Sequence, residues 1–245
     1  MTAGPVWVLA DAHGGAREAD DVALVALLDR AIQAKTDLLV LGDLFLAWLG
    51  PQRFLSALQR RVVDALTRVR AAGGRVRFVV GNRDYLVAEG QRGRAFDEVL
   101  EGEALIDVAG IPTLVTHGDR LNRGDRSYLL WHAVSRHPTV LGLVSRLPAE
   151  PTRRLAGALE ERMSGAHRRY KTGDLPIEGL LALGRRAAAA GARRALVGHF
   201  HHDRTLDVPG GVPVVLAPPW LERRRILVGQ PDGRLLSVDP SRAFG

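Results

Sequence analysis

The chain contains no cysteine among its 245 residues. Disulfide bonds, zinc thiolate sites and cysteine nucleophiles are therefore excluded, and the absence fits a reducing compartment. No apolar run approaches the roughly 18 to 20 residues that a helix needs to cross a bilayer. No basic segment followed by an apolar stretch precedes the strand predicted at Val6–Leu9, so no secretory signal is expected. These absences favour a protein of the cytoplasm.

Aromatic residues are few, at 5%, and only Lys35 and Lys171 are lysines. The net charge of +7 comes from one segment, since residues 120–190 contain 13 arginine or lysine residues against 6 acidic ones. A basic excess confined to one segment indicates an anionic partner, with a general bias toward arginine as the alternative explanation. The basic residues alternate with apolar clusters rather than with stacking aromatic rings, which disfavours nucleic acid.

The first half of the chain alternates short apolar runs with amphipathic segments. Strands are predicted at Val6–Ala10, Leu38–Leu41 and Val76–Val80, with helices between them near Ala19–Ala34 and Gln52–Ala72. Strands that alternate with helices in this way are typical of an α/β fold with parallel strands and right-handed crossovers.

Two more strands, Thr113–Thr116 and Ala195–Val197, flank a long helical stretch that several prolines divide. We predict one domain over residues 1–245, with residues 120–190 inserted in it as a helical cap. Four short antiparallel strands are expected near the end of the chain, at Arg204–Val208, Val212–Leu216, Arg224–Val228 and Arg234–Val238.

Each of the five predicted strands ends in a polar motif, where open α/β sheets place their ligands. Any one of these motifs occurs often by chance, but all of them together, each at a strand end, indicate a metal site. The motifs are Asp11-Ala12-His13, Gly42-Asp43, Gly81-Asn82-Arg83-Asp84, His117-Gly118-Asp119 and Gly198-His199-Phe200-His201.

The residue types in these motifs suit a pair of divalent cations. Alternate residues of an extended segment point to the same side, so both polar residues of Asp-x-His or His-x-His can reach one ion. Imidazole and carboxylate ligands suit Mn²⁺, Fe²⁺ or Zn²⁺, and we favour Mn²⁺. A carboxylate such as Asp43 can bridge two ions, and two ions about 3.5 to 4 Å apart can clamp a phosphate for hydrolysis.

The ordered set of motifs resembles the calcineurin-like metallophosphoesterase superfamily over nearly the whole chain. The resemblance implies a β-sandwich flanked by helices, two metal ions and hydrolysis of a phosphoester or pyrophosphate. It assigns Asp11, His13 and His201 to one ion, and Asn82, His117 and His199 to the other. In this assignment Asp43 bridges the two ions.

Arg83 narrows the resemblance, because most superfamily members have histidine at this position. The motif Asn82-Arg83-Asp84 and the segment Leu41–Gly50 resemble the UDP-2,3-diacylglucosamine pyrophosphatases of lipid A synthesis. That family implies Asn82 and Arg83 as catalytic residues that also bind the substrate. It also implies hydrolysis at the α-phosphorus, which gives UMP and 2,3-diacylglucosamine 1-phosphate.

The same resemblance implies further contacts with the UDP-sugar headgroup. Asp125 and Tyr128 match family positions that follow the His117 motif. Ser164 and Lys171 match a family pattern in the insertion, whereas Arg168 stands where asparagine is usual. The residues expected to bind substrate are Asn82, Arg83, Asp125, Tyr128, Ser164, Arg168, Lys171 and His199.

The lipid substrate and the basic, apolar insertion together predict peripheral contact with the inner face of the inner membrane. Three alternatives stay open on the same motifs. One is a general phosphodiesterase or nucleotide pyrophosphatase, and another is a metallonuclease. The third is a non-catalytic scaffold, which the complete set of ligand positions disfavours.

Overall fold

The computed structural model describes residues 5–156, 158 and 175–243. They form a six-stranded and a five-stranded sheet packed face to face, with helices on both outer faces, and a small two-stranded sheet of Trp48–Leu49 and Asp84–Tyr85. The strands are β1 (Val6–Leu9), β2 (Asp37–Val40), β3 (Trp48–Leu49), β4 (Val76–Val79), β5 (Asp84–Tyr85), β6 (Glu98–Leu100), β7 (Ala104–Val108), β8 (Ile111–Thr116), β9 (Arg194–Val197), β10 (Arg204–Leu206), β11 (Val214–Leu216), β12 (Ile226–Gly229) and β13 (Leu235–Val238). The helices are α1 (Glu18–Ala34), α2 (Ala57–Ala71), α3 (Val87–Gln91), α4 (Arg126–Ser135), α5 (Pro138–Val144), α6 (149–156), α7 (Ile177–Ala189), α8 (Trp220–Arg223) and α9 (Pro240–Ala243).

The first sheet has the strand order β13-β12-β1-β2-β4-β6. The strands β1, β2, β4 and β6 run parallel, as the alternation of strands and helices in the sequence predicts. The last two strands, β12 and β13, add to the β1 edge in antiparallel orientation. The carboxyl ends of the four parallel strands therefore lie along one rim of the sheet.

The second sheet has the order β10-β11-β9-β8-β7, with β8, β9 and β11 parallel and an antiparallel strand at each edge. The four strands predicted near the end of the chain thus divide between the two sheets, and β11 is not antiparallel to its neighbour β9. The chain changes sheets after β11, where Pro219 bridges to Ala10 and Trp220 donates its backbone N–H to the carbonyl of Ala10.

Three apolar clusters hold the layers together. Between the sheets, Val8 and Leu39 pack with Val115 and Leu196 in one cluster of buried residues. The outer face of the first sheet is covered by α1 and α2, and the outer face of the second sheet is covered by α7. Because successive side chains of a strand point to opposite faces of the sheet, each buried strand contributes apolar side chains to both the inner and the outer clusters. The predicted β-sandwich flanked by helices is confirmed.

One predicted helix differs from the structure at its beginning. Residues Gln52–Phe54 form a short 3-10 turn, and α2 begins only at Ala57. The Ser56 side chain accepts from the backbone N–H of Gln59, and the Gln59 side chain accepts from the N–H of Ser56. This capping box satisfies the free donors of the first turn and therefore sets where the helix starts.

The helices of the predicted insertion differ in how they pack. Helix α4 buries only Tyr128 and α5 buries no residue, whereas α7 packs on the second sheet through Leu180 and Leu183. The boundaries of the insertion and the single domain over 1–245 stay predictions. Among the described residues, no helix is both long and apolar enough to cross a membrane.

Candidate metal centre

The polar motifs of both sheets meet at one rim of the sandwich. Asp43 and Asn82 follow strands of the first sheet, and His117 and His199 follow strands of the second. The Nε2 atom of His117 lies 3.1 Å from Oδ1 of Asn82 and 3.3 Å from Nδ1 of His199. The backbone N–H of His199 donates to Oδ2 of Asp11 at 2.8 Å, which links the second sheet to the end of β1.

The candidate ligands form two groups of three. Asp11, His13 and His201 offer ligand atoms that all lie within 4.8 Å of one another. Asp43, His117 and His199 form a second group by the same measure, and Asn82 borders it through His117. The structure therefore places the predicted ligand residues at one rim, in two groups of three with Asn82 beside the second group. The bridging role of Asp43 and the division of the residues between two ions stay predictions. Their binding of metal stays a prediction.

The backbone at these residues has a shared and uncommon conformation. Five of the seven candidate ligands have positive φ angles, between 45° and 65°. Aspartate, asparagine and histidine tolerate this left-handed region better than most residues, but each such residue still carries some strain. Strain that recurs at one cluster of polar side chains is typical of a functional site. The five residues are Asp11, His13, Asp43, His199 and His201.

Two glycines allow the loops of this centre to approach one another. Gly42 has a φ of +83°, and a Cβ there would lie 2.6 Å from Nδ1 of His117 and 2.7 Å from the Cα of Gly81. A Cβ on Gly81 would lie 2.4 Å from Oδ1 of Asp43. These distances are shorter than a real Cβ atom permits, so both positions require glycine where the ends of β2, β4 and β8 converge.

The centre is buried and rich in negative charge. Asp11, Asp43 and His117 are each no more than 2% exposed. Burial raises the pKa of Asp11 because it penalises the charged carboxylate. Burial disfavours protonated His117, but the carboxylates of Asp43 and Asp11 outweigh it and raise the pKa of His117 to about 9. In the protein alone, protonated imidazole thus supplies positive charge beside the buried carboxylates.

The donor set fits divalent cations. The buried Oδ1 of Asp11 accepts no hydrogen bond from any residue that the structure describes, and Nε2 of His201 lies 3.8 Å from it. The Nε2 atoms of His13 and His201 face each other at 3.4 Å. Carboxylate oxygens and imidazole nitrogens that converge in this way, with no thiolate available, suit ions such as Mn²⁺, Fe²⁺ or Zn²⁺.

Arg83 and Asp84 hold Asp43 in place from both sides. The backbone N–H of Arg83 donates to Oδ1 of Asp43 at 3.0 Å, and the Nε atom of the Arg83 side chain lies 3.4 Å from Oδ2 of Asp43. Oδ2 of Asp84 accepts from the backbone N–H groups of Asp43 and Gly81, both at 2.8 Å. Burial, followed by the charge of Asp43, raises the pKa of Asp84 to about 7. The structural role of Asp84 is not evident from the sequence, where it stands simply as the last residue of its motif.

The predicted headgroup residues fall into two sets. Asp125 caps α4 by accepting from the backbone N–H of Tyr128 at 2.9 Å, and the Tyr128 hydroxyl donates to Oδ2 of Asp119 at 2.5 Å. Burial, together with Asp119, raises the pKa of Tyr128, so its hydroxyl stays a donor. Sequence reasoning gives Asp119 no such role. The second set lies outside the described residues: Ser164, Arg168 and Lys171.

Glu222, which no motif indicates, supports one of the candidate ligands. Its Oε2 atom lies 3.1 Å from Nδ1 of His201 and accepts a hydrogen bond from that ring nitrogen, which faces away from the ligand group. A carboxylate in this position fixes the tautomer of the imidazole and makes its other nitrogen a better ligand. The residue comes from α8, directly after the chain changes sheets.

Comparison with known proteins places this site in a family. No family profile matches the chain. The chain is 31% identical over 243 residues to the UDP-2,3-diacylglucosamine hydrolase of Pseudomonas paraeruginosa, which covers 96% of this chain and 95% of that protein. It is 30% identical over 239 residues to the enzyme of that name from Pseudomonas aeruginosa, with the same coverage. For the Neisseria meningitidis serogroup B protein the identity is 29% over 232 residues, covering 94% and 95%.

A sandwich with two groups of candidate metal ligands at its rim is the arrangement expected of a metal-dependent phosphoesterase. Within that class, the chain belongs to the UDP-2,3-diacylglucosamine hydrolase family. A solved archaeal phosphodiesterase aligns with 96% of this chain and 98% of its own, at 10% identity and a TM-score of 0.49. A likeness of that size adds nothing to the family assignment.

We expect Glu222→Gln to lower the affinity of the Asp11, His13 and His201 group for Mn²⁺ by about 10- to 100-fold, because an amide holds the His201 ring less firmly. Titration calorimetry of the metal-free protein with Mn²⁺ measures this change. The matched control is Glu89→Gln, since Glu89 is exposed on α3. Equal affinities for wild-type protein and Glu222→Gln would show that Glu222 does not support the site.

Proposed function

We propose that this protein hydrolyses the pyrophosphate linkage of UDP-2,3-diacylglucosamine at the α-phosphorus, giving UMP and 2,3-diacylglucosamine 1-phosphate for lipid A synthesis. One observation carries the proposal. A chain related over almost its whole length to hydrolases of that name brings the seven predicted ligands together in two adjacent groups. The proposal extends the substrate in the relatives' name to this chain.

Two divalent ions, which we propose to be Mn²⁺, complete the site. In this proposal Asp11, His13 and His201 would hold one ion, and Asn82, His117 and His199 would hold the other. Asp43, which groups with His117 and His199, would be a ligand common to both ions. When bound, ions of this kind supply the positive charge that activates a water molecule and draws electrons from the phosphorus. The protein's part is to fix this geometry through the buried hydrogen bonds of the rim.

Arg83 and Asn82 act directly on the phosphate in this proposal. The Arg83 guanidinium lies beside Asp43, and its planar set of donors can pair with phosphate oxygens as negative charge develops on them. The Asn82 side chain, next to His117, orients one of those oxygens, and His199 contacts the same group. The leaving group is itself a phosphate, which departs with little need of a proton donor.

The headgroup and the lipid are assigned to the insertion. Asp125 and Tyr128 lie at the start of α4, and we propose that they bind the headgroup together with Ser164, Arg168 and Lys171. Helices α4, α5 and α6 leave large apolar side chains in contact with solvent, as at Leu130 (67% exposed) and Leu143 (62%). We propose that this apolar, basic surface rests on the cytoplasmic face of the inner membrane, where an acylated substrate resides.

The decisive measurement is product release from purified protein. With Mn²⁺ and UDP-2,3-diacylglucosamine, we expect one UMP for each 2,3-diacylglucosamine 1-phosphate, and loss of turnover when a chelator removes the metal. Bis(4-nitrophenyl) phosphate and single-stranded DNA are the comparison substrates. Turnover of either one without release of UMP from the UDP-lipid would indicate a general phosphodiesterase or a nuclease instead.

Arg83 offers a specific test of the chemistry. We expect Arg83→Ala to lower kcat by about 100- to 1,000-fold, because it removes a charged donor from the developing phosphate charge. Arg83→Lys keeps the charge but loses the planar donors, so an intermediate loss is expected. Steady-state kinetics on the UDP-lipid measure both. If Arg83→Ala retained the wild-type kcat, the arginine would have no part in the reaction.

Membrane contact is tested with two exposed leucines of the insertion. We expect the double variant Leu130→Asp and Leu143→Asp to bind anionic lipid vesicles at least about tenfold more weakly, because it replaces apolar area with charge. Sedimentation with vesicles measures the bound fraction. The control is Leu105→Asp, since Leu105 is 48% exposed on β7, outside the insertion. Unchanged binding of the double variant would rule out this surface.

A further inference from the structure

The cap helix α4 buries few of its side chains and makes specific polar contacts with the sandwich. Tyr128 is its one buried residue, while Leu130 and Val134 are 67% and 50% exposed. At its first turn the Tyr128 hydroxyl donates to Asp119, two residues beyond His117. On the next turn Nε2 of His132 lies 3.7 Å from the same carboxylate. Both contacts lie beside the metal centre, because Asp119 closely follows His117 in the chain.

The other end of α4 makes a contact of a different kind. Arg136, at the carboxyl end of the helix, donates from its guanidinium to the backbone carbonyl of Gly81. The centre of the same guanidinium lies 4.9 Å from the centroid of the Tyr85 ring. A charged hydrogen bond and a cation–π contact made by one group define its position more closely than either alone.

These two contacts enclose the segment Gly81–Tyr85, which we call the Asn82 loop. Asn82 and Arg83 lie between the two points that Arg136 touches. The carbonyl of Gly81 accepts from Arg136 and the N–H of Gly81 donates to Asp84, so the two peptide groups that flank Gly81 are both held, and the second of them leads into Asn82. Displacement of this loop moves the two residues assigned to the phosphate.

We propose that Arg136 is a positioning residue: from the end of α4 it holds the Asn82 loop and thereby sets Asn82 and Arg83 in the geometry needed for reaction. The expected effect of Arg136 on turnover rests on the proposed function, whereas its expected effect on the mobility of the Asn82 loop does not. The positioning role also means that the position of α4 on the sandwich is transmitted to the Asn82 loop through the Arg136 side chain. An insertion that is displaced from the sandwich releases the loop.

The structural consequence is measured by hydrogen exchange, which needs no substrate. In Arg136→Ala we expect amide exchange in residues 80–86 to be about 10- to 100-fold faster, because a charged hydrogen bond to the loop is lost. Exchange in the strands of both sheets stays as in the wild type. Arg136→Lys retains one donor for the Gly81 carbonyl and restores part of the protection. Arg61→Ala, which removes an exposed arginine from α2, is the control.

The kinetic consequence is a split between kcat and KM. With Mn²⁺ content equal to that of the wild type, we expect Arg136→Ala to lower kcat about 10- to 100-fold on both the UDP-lipid and bis(4-nitrophenyl) phosphate, with KM changed much less. Arg136→Lys recovers part of this loss. The second substrate keeps the inference testable if the UDP-lipid is not hydrolysed, so failure of the proposed substrate and failure of the inference are distinct results.

Three outcomes would overturn the positioning role. In the first, Arg136→Ala shows wild-type exchange in residues 80–86. In the second, exchange rises equally throughout the molecule, which would make Arg136 a general stabilising residue. In the third, KM for the UDP-lipid rises while kcat and loop exchange are unchanged, which would mean that Arg136 contacts the substrate itself.

Discussion

The structure depends on accommodating two buried acidic side chains, Asp11 and Asp43, at the rim of the sandwich. Each is no more than 2% exposed, and burial of an unpaired charge costs several kcal/mol. Compensation comes from elements far apart in the chain. The backbone N–H of His199 donates a hydrogen bond to Asp11. The backbone N–H of Arg83 donates to Asp43, and the Arg83 guanidinium forms an ion pair with it. The hydrogen bond between His199 and Asp11 therefore connects the rims of the two sheets.

That electrostatic requirement explains why the backbone at the rim is strained. Side chains can converge on two small volumes only if the chain turns sharply at the end of each strand, and most of the candidate ligands adopt left-handed φ angles to do so. The apolar clusters on both sides of each sheet hold the strands rigid up to that point. Burial of the sandwich thus provides the free energy that a strained, charged rim requires.

Local signals in the sequence were sufficient for nine of the thirteen strands in the described residues, whereas β3, β5, β6 and β7 were not predicted. The same signals indicated the candidate ligands, whose binding of metal stays a prediction. An apolar run that ends in a polar motif is visible within a few residues, and the parallel order of the first three strands follows from the helices between them. The supporting residues were not predictable, since their roles come from contacts between distant segments. Arg136 and Gly81 are 55 residues apart, and Glu222 reaches His201 only because α8 follows the change of sheet.

The strands β10 to β13 illustrate the same limit. Alternation of apolar residues identifies each strand, but not its partner, so four consecutive strands are naturally read as one antiparallel group. The structure divides them because Pro219 and Trp220 pair with Ala10 and direct the chain toward the first sheet. Those contacts also place α8 beside His201. The division of the strands and the support of a candidate ligand are therefore consequences of one turn.

The insertion combines an apolar outer surface with polar anchors, and its proposed substrate explains why. An acylated UDP-sugar presents chains that need apolar surface and a diphosphate that needs fixed polar groups. Helix α4 is attached through Tyr128, His132 and Arg136, while Leu130 and Val134 stay exposed to solvent. The polar attachment also sets α4 against the loops that carry the residues proposed to bind the phosphate.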